Sequence, residues 1–230
     1  MALPKLETPT YTLTLPSTGK QIKYRPFLVK EYKILLTALE SDASEIHRLI
    51  TELVDVCTFN NVNALELPNF DLEYVFLQIR AKSIGEMTNL ELQCNNCETK
   101  ISFDLDISKA EVIKNPEHTS KVVISDNMTL EMRYPKFSEM AEIYENFNTD
   151  KAVDLLCICI KSILTPEAVY DDFTKEEITE FVNSFSKQQF EKIEQFFLTM
   201  PKLTQHVEQT CSNCGSKNEV NLEGLQNFFV

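Results

Sequence analysis

The chain has 230 residues, 43% of them hydrophobic and 25% charged, a composition that is typical of a folded globular protein. Its 22 basic and 35 acidic residues give a formal net charge of −13, so most of its surface would repel the phosphates of a nucleic acid. No apolar run approaches the roughly 20 residues that a membrane-spanning helix needs, and residues 1–5 lack the basic and apolar parts of a secretory signal. We therefore expect a protein that binds neither nucleic acid nor membrane and that stays where it is made.

The first predicted elements are a β-hairpin and a helix. Apolar and polar residues alternate within residues 11–24 on both sides of the turn sequence Pro-Ser-Thr-Gly. Helical spacing of apolar residues follows at 30–39. Asp42, with Glu45 three residues later, resembles the capping box of a second helix.

The second helix has the clearest apolar pattern in the chain. One stripe along it is formed by Ile46, Leu49, Ile50, Leu53, Val54 and Cys57. A third helix is predicted at residues 71–84, with Gly85 as its end. The stripe is expected to be the buried face of the second helix.

A second hairpin carries the first cysteine pair. Strand-like alternation precedes Cys94 and resumes after Cys97, which places both cysteines at the hairpin tip. The polar segment of residues 109–120 follows and is the predicted boundary between two halves.

The remaining sequence repeats the same order of elements. A hairpin is predicted at residues 122–132, and the second cysteine hairpin carries Cys211 and Cys214. Between them, helical patterns occur at residues 138–147, 151–164, 175–185 and 187–200. We therefore predict an α+β fold of two similar halves, residues 1–110 and 111–230, each made of a hairpin, helices and a C-x-x-C hairpin.

Cys94, Cys97, Cys211 and Cys214 are the candidate metal ligands. A two-residue spacer lets both sulfurs of one turn face the same ion, and four thiolates at about 2.3 Å complete the tetrahedral shell of a structural Zn²⁺. No position would remain open for an activated water. The predicted site is a zinc ribbon split by a long insertion, which joins the two halves.

Other interpretations of the cysteines remain open at this stage. The two pairs could form separate disulfides, or one could be a redox pair, although neither opens the helix of a thioredoxin-like unit. The other three cysteines lie in apolar helical patterns and are expected to pack in the core: Cys57, Cys157 and Cys159. Among the histidines, only His206 is near enough in sequence to compete as a ligand.

The sequence contains no catalytic motif. With four glycines in the whole chain, phosphate-binding loops have no support. The acidic residues of the 171–177 segment lie in a polar stretch and are expected to form a solvated face. We therefore expect a non-enzymatic protein with no catalytic or cofactor-binding residues beyond the metal ligands.

The N-terminal region contains three distinctive segments: Pro-Lys-Leu-Glu-Thr-Pro-Thr-Tyr at 4–11, Leu-Pro-Ser-Thr-Gly-Lys at 15–20 and Tyr-Arg-Pro-Phe-Leu-Val-Lys-Glu at 24–31. Together they resemble the opening of the baseplate hub proteins of T-even-like contractile-tailed bacteriophages. The paired C-x-x-C hairpins are similar to those of marine and cyanophage members of that family, so the resemblance covers most of the chain.

This resemblance implies a phage protein that builds the central hub of the tail baseplate, either as a hub subunit or as an assembly factor. The implied partners are other baseplate hub proteins and the tape-measure protein, and the implied location is the host cytoplasm during assembly and the virion tail. The expected contact elements are the N-terminal hairpin and the C-terminal residues 225–230; in the alternative interpretation, the apolar residues of this terminus are buried in the chain's own core. The alternative function is a zinc-ribbon regulator of nucleic acid or the transcription machinery, which the acidic charge opposes.

Overall fold

The computed structural model describes residues 6–38, 43–144 and 149–228. The predicted capping box begins at Asp42, outside these ranges. The chain divides into two compact units. Unit 1 contains Met1–Ile113 together with Lys202–Val230, and unit 2 contains Lys114–Pro201.

Unit 1 begins with the predicted hairpin and three helices. Its elements are β1 (Tyr11–Thr14), β2 (Gln21–Tyr24), α1 (Val29–Ala38), α2 (Ala43–Cys57) and α3 (Asn69–Ile84). The predicted stripe of α2 is confirmed, since Ile50, Leu53, Val54 and Cys57 are buried. Its other members, Ile46 and Leu49, are half-buried.

A buried carboxylate attaches the first hairpin to α3. Asp71, in the first turn of α3, accepts hydrogen bonds from the backbone N–H and the hydroxyl of Ser17. Desolvation raises the pKa of Asp71, although both bonds from Ser17 act to lower it. The turn of the hairpin is therefore held at the N-terminus of α3.

The cysteine hairpins form the rest of unit 1. The strands are β3 (Met87–Gln93), β4 (Lys100–Asp106), β5 (Glu111–Ile113), β10 (Lys202–Thr210) and β11 (Lys217–Glu223). β3 pairs with β4, and the second sheet has the order β11-β10-β5. Phe103, Leu203 and Phe228 are buried together between these elements and α3.

Among its described residues, unit 2 contains the hairpin predicted at residues 122–132 and four helices. Its elements are β6 (Lys121–Ser125), β7 (Met128–Met132), α4 (Phe137–Tyr144), α5 (Thr149–Cys159), β8 (Ile160–Leu164), β9 (Val169–Tyr170), α6 (Lys175–Asn183) and α7 (Lys187–Leu198). The sheet order is β6-β7-β8-β9, with every pair antiparallel. Its core combines the inner face of this sheet with α5, α6 and α7.

The hairpin of each unit ends in the same ion pair, which we call the arginine clasp. In unit 1, the Arg25 guanidinium binds the Glu31 carboxylate at 3.0 and 3.3 Å, and the Arg25 N–H donates to the carbonyl of Cys57. In unit 2, Arg133 binds Glu139 at 2.7 and 2.9 Å. The Arg133 N–H donates to the carbonyl of Cys159, and both pairs span six residues. In each clasp the glutamate also accepts from a backbone N–H three residues before it.

Two predicted elements differ from the observed fold. The helix predicted at 151–164 ends at Cys159, and residues 160–164 form β8, which pairs with β7 and contributes Ile160 and Ile163 to the core of unit 2. The boundary segment 109–120 contains β5, which pairs with β10. The compact units divide the chain at other positions than the predicted halves 1–110 and 111–230, which stay a prediction.

The core predictions for the remaining cysteines agree with the structure. Cys57, Cys157 and Cys159 are buried. Burial raises the pKa of Cys57 to about 11 and that of Cys159 to about 12, so both stay protonated thiols at neutral pH. Within the described ranges, no helix has both the length and the apolar character that a membrane span needs.

Candidate metal centre

The four predicted ligands converge at the tips of the two cysteine hairpins. Their sulfur atoms all lie within 4.8 Å of one another, and all four residues belong to unit 1. Sγ of Cys94 lies 3.7 Å from Sγ of Cys214, and Sγ of Cys97 lies 3.6 Å from Sγ of Cys211. In each of these close pairs, the two sulfurs therefore belong to different hairpins.

The sulfur–sulfur distances fit a tetrahedral metal site. With metal–sulfur bonds of about 2.3 Å, the edge of a tetrahedral shell is about 3.8 Å. A disulfide would need about 2.05 Å, and none of the four cysteines is in one. The four close cysteines can hold a metal ion.

The backbone of the two knuckles is the same. In the first, the Glu98 N–H donates to the Cys94 carbonyl and the Cys94 N–H donates to the Thr99 carbonyl, both at 2.9 Å. In the second, Gly215 and Cys211 make the equivalent bonds, also at 2.9 Å. Each turn therefore presents its two sulfurs in the same way.

One position in each knuckle has a left-handed backbone. The φ angle is +72° at Gly215, which glycine adopts without strain, and +57° at Glu98. For a residue with a Cβ this conformation costs about 1 kcal/mol. The first knuckle is therefore slightly strained at Glu98.

Polar groups around the sulfurs favour thiolates. Backbone N–H groups of Asn96 and Cys97 lower the pKa of Cys94. The hydroxyl and N–H of Thr99, followed by the Asn213 amide, lower the pKa of Cys97 to about 6. The Thr99 hydroxyl lies 3.3 Å from Sγ of Cys97, and the Asn213 amide donates to that sulfur at 3.6 Å.

The pKa of Cys211 moves in the opposite direction. Backbone N–H groups of Cys214 and Asn213 act to lower it, but desolvation and the adjacent sulfurs of Cys97 and Cys214 raise it to about 11. Four sulfurs at this separation cannot all carry negative charge without a cation among them. The donor set therefore matches a thiophilic cation.

Asn218 links the two hairpins beside the sulfurs and was missed in the sequence. It is 1% exposed, and its side-chain oxygen accepts from the Asn95 N–H at 2.9 Å. Its amide donates to the carbonyl of Ser216 at 3.0 Å. An asparagine at an inward position of a strand is the one signal that could have indicated this role, because such positions are usually apolar.

The other candidate residues lie outside the site. His206 is exposed, and its ring contacts Asn221 at 2.8 Å and Glu208 at 3.4 Å. The acidic residues near α6 are solvent-exposed, as expected, and Glu177 forms the capping box of that helix with Thr174.

The C-terminal segment agrees only partly with its predicted role as a contact element. Phe228 is fully buried, and the Leu225 N–H donates to the Glu73 carboxylate. This part of the segment therefore belongs to the core of unit 1. Residues 229 and 230 lie outside the described ranges.

The fold and the site define an α+β protein with a four-cysteine centre able to hold a metal ion. The family model described as T4 bacteriophage base plate protein matches residues 8–230. The chain therefore belongs to that family, and it is a T4-like phage baseplate protein. Comparisons with curated proteins and with solved structures gave no match.

Proposed function

We propose that this protein is a non-enzymatic component of the baseplate hub, a hub subunit or an assembly factor for hub and tape-measure proteins, with Zn²⁺ as a structural ion. Membership of a baseplate family supports a structural role and interaction with other baseplate proteins. Four thiolates leave no open coordination position for a substrate or an activated water, which supports a metal that stabilises the fold.

The geometry of the cysteine cluster is the observation that supports zinc. Sulfur pairs at 3.6 and 3.7 Å, all-cysteine ligands and two matching knuckles are typical of a tetrahedral Zn–S₄ site. The ion would join two hairpins that are more than one hundred residues apart in sequence and lie in one unit. It would also compensate the charge of the clustered thiolates.

Zinc content tests this site directly. We expect one zinc per wild-type chain, a large loss of zinc in Cys94→Ser and Cys211→Ser, and a lower melting temperature in both, because three thiolates bind less tightly and the hairpins lose their common ion. Metal is measured by mass spectrometry on purified protein. Cys157→Ala is the matched control, since it removes a buried thiol of unit 2 and should leave zinc unchanged. Full zinc in either ligand variant would contradict the proposal.

Two related halves are part of the same proposal. The arginine clasps support a duplication, because a hairpin, an Arg–Glu pair and a buried cysteine carbonyl recur in the same order. The two equivalent C-x-x-C turns support it further. In this proposal each half supplied one cysteine hairpin, and both hairpins now lie in unit 1.

The role in the hub is tested in infected cells. Phage lacking this gene should assemble the outer baseplate parts without a central hub, and the defect should be rescued by the wild-type gene. Mass spectrometry of purified virions beside the cell lysate then separates the two forms of the role: a hub subunit is present in virions, whereas an assembly factor is found in the lysate alone. Normal tails without the gene would contradict a hub function of either form.

A further inference from the structure

Strand β11 forms an open sheet edge. It is seven residues long and pairs with β10 on one side, and no strand of the described residues pairs with its other side. The edges of the unit 2 sheet differ from it. At β6, Lys192 Nζ binds the carbonyls of Val123 and Ile124 at 3.0 and 3.1 Å, and β9 has only two residues.

The register shows which backbone groups of β11 face outward. The Cys211 N–H donates to the Ser216 carbonyl, so Ser216 and every second residue after it bond to β10. The alternate residues direct their N–H and C=O groups to the open edge: Lys217, Glu219, Asn221 and Glu223. All four are exposed. The Glu223 carbonyl also accepts a bond from Asn227, and a carbonyl has two lone pairs.

The order of these four side chains is self-complementary. If two copies of β11 pair in antiparallel orientation about Val220, Lys217 of each copy lies opposite Glu223 of the other. Glu219 lies opposite Asn221, whose amide can donate to its carboxylate. Val220 meets its own copy at the axis, a favourable pairing of β-branched side chains. All outward N–H and C=O groups then face partners of the opposite kind.

We propose that β11 is a dimerisation edge, at which a second copy of this chain pairs about Val220 in the register just described. The symmetry is that of an isologous twofold interface. Charged residues usually protect an edge from pairing, but here the opposite charges match in one orientation and register. Two strands of seven residues bury a small area, so the dimer is weak and depends on concentration.

Analytical ultracentrifugation of the full chain over a wide concentration range tests the proposal. We expect reversible dimerisation of the wild type. Lys217→Glu and Glu223→Lys should each weaken it by about tenfold, because like charges then face each other twice in the symmetric dimer. The double variant K217E/E223K should restore it, since the swapped charges are again opposite.

A charge swap elsewhere provides the control. K187E/E191K exchanges the charges of an ion pair on α7, in unit 2, and should leave dimerisation unchanged. Circular dichroism of every variant establishes that the fold is retained. The proposed pairing would be overturned if the wild type is monomeric at all concentrations. It would also be overturned if the single substitutions leave dimerisation unchanged, or if the double variant does not restore it.

Discussion

At the scale of single residues, the two clasp glutamates are the ionisable groups with the clearest link to stability. Burial acts to raise the pKa of Glu139, but hydrogen bonds from Arg133 and from the Lys136 N–H lower it overall. Glu31 has the same balance, with Arg25 and the Leu28 N–H as donors. In both, the carboxylate is therefore more stable in the folded state than in the unfolded chain.

Glu139→Gln should destabilise unit 2 in a pH-dependent way. A lowered folded pKa gives stability that is complete above the unfolded value, near 4.5, and is lost as the pH falls through the folded pKa. We expect a loss of about 1–2 kcal/mol at neutral pH for this partly exposed pair, which disappears at low pH. Chemical denaturation of both proteins at a series of pH values measures the difference.

Unit 2 is the better unit for this measurement, because it contains none of the four clustered cysteines, whose protonation would release an ion if they bind one. His118 titrates in both proteins, so its contribution cancels in the difference. Glu191→Gln, which alters an exposed ion pair on α7, is the control and should change stability by less than about 0.5 kcal/mol. A pH-independent loss in Glu139→Gln would show that the charge of this carboxylate is not what stabilises the clasp.

The sequence predicted which four cysteines lie together, and it predicted the residues around them only in part. Identical C-x-x-C spacing identified Cys94, Cys97, Cys211 and Cys214, because spacing alone determines whether two sulfurs of one turn can share an ion. The inward strand position of Asn218 is a local signal, but its partner Asn95 lies on the other hairpin and cannot be identified from that position. Arg133 and Glu139 were missed for a different reason, since a salt bridge across six residues has no helical or strand period.

At the scale of elements, local patterns predicted those elements whose neighbours are close in sequence. The β1–β2 and β6–β7 hairpins and the stripe of α2 were each predicted from the spacing of their own apolar residues. β5 was not, because three residues carry too little pattern and its partner β10 lies far along the chain. β8 was assigned to a helix, because a short apolar run that follows a helix directly has no turn residue to separate the two.

Pairing with neighbouring strands determines the structure of β8 and β5. β8 pairs with β7 along its length and with β9 at Ile163 and Leu164, and a helix there would leave β7 with an open edge. β5 is the third strand of the sheet formed by β10 and β11, and it connects the second cysteine hairpin to the N-terminal part of unit 1. The observed elements therefore differ from the predicted ones at β5 and β8, two strands that are defined by their pairing partners.

At the scale of the whole molecule, unit 2 is an insertion whose ends are adjacent. It lies between β5 and β10 in the chain, and Ile113, before the insertion, pairs directly with Lys202, after it. The two strands run antiparallel, so the chain leaves unit 1 and returns to it at one point. Unit 1 contains all four candidate ligands and both knuckles, and a short turn at this position is enough to keep its chain continuous.

Replacing residues 114–201 by Asn-Gly should leave a folded unit 1 that binds one zinc ion. Ile113 and Lys202 face each other on the side of β10 that bonds to β5, and Asn-Gly forms the type I′ turn that joins such a pair. The separate fragment 114–201 should fold without metal, because its sheet and helices have their own core. Zinc content, circular dichroism and calorimetry of both proteins are the measurements, with Cys211→Ser in the shortened chain as the metal-free control. If the shortened chain is unfolded in the presence of zinc, the stability of unit 1 depends on unit 2. If a chelator unfolds the 114–201 fragment, that fragment binds a metal, although no cluster of candidate ligands lies among its described residues.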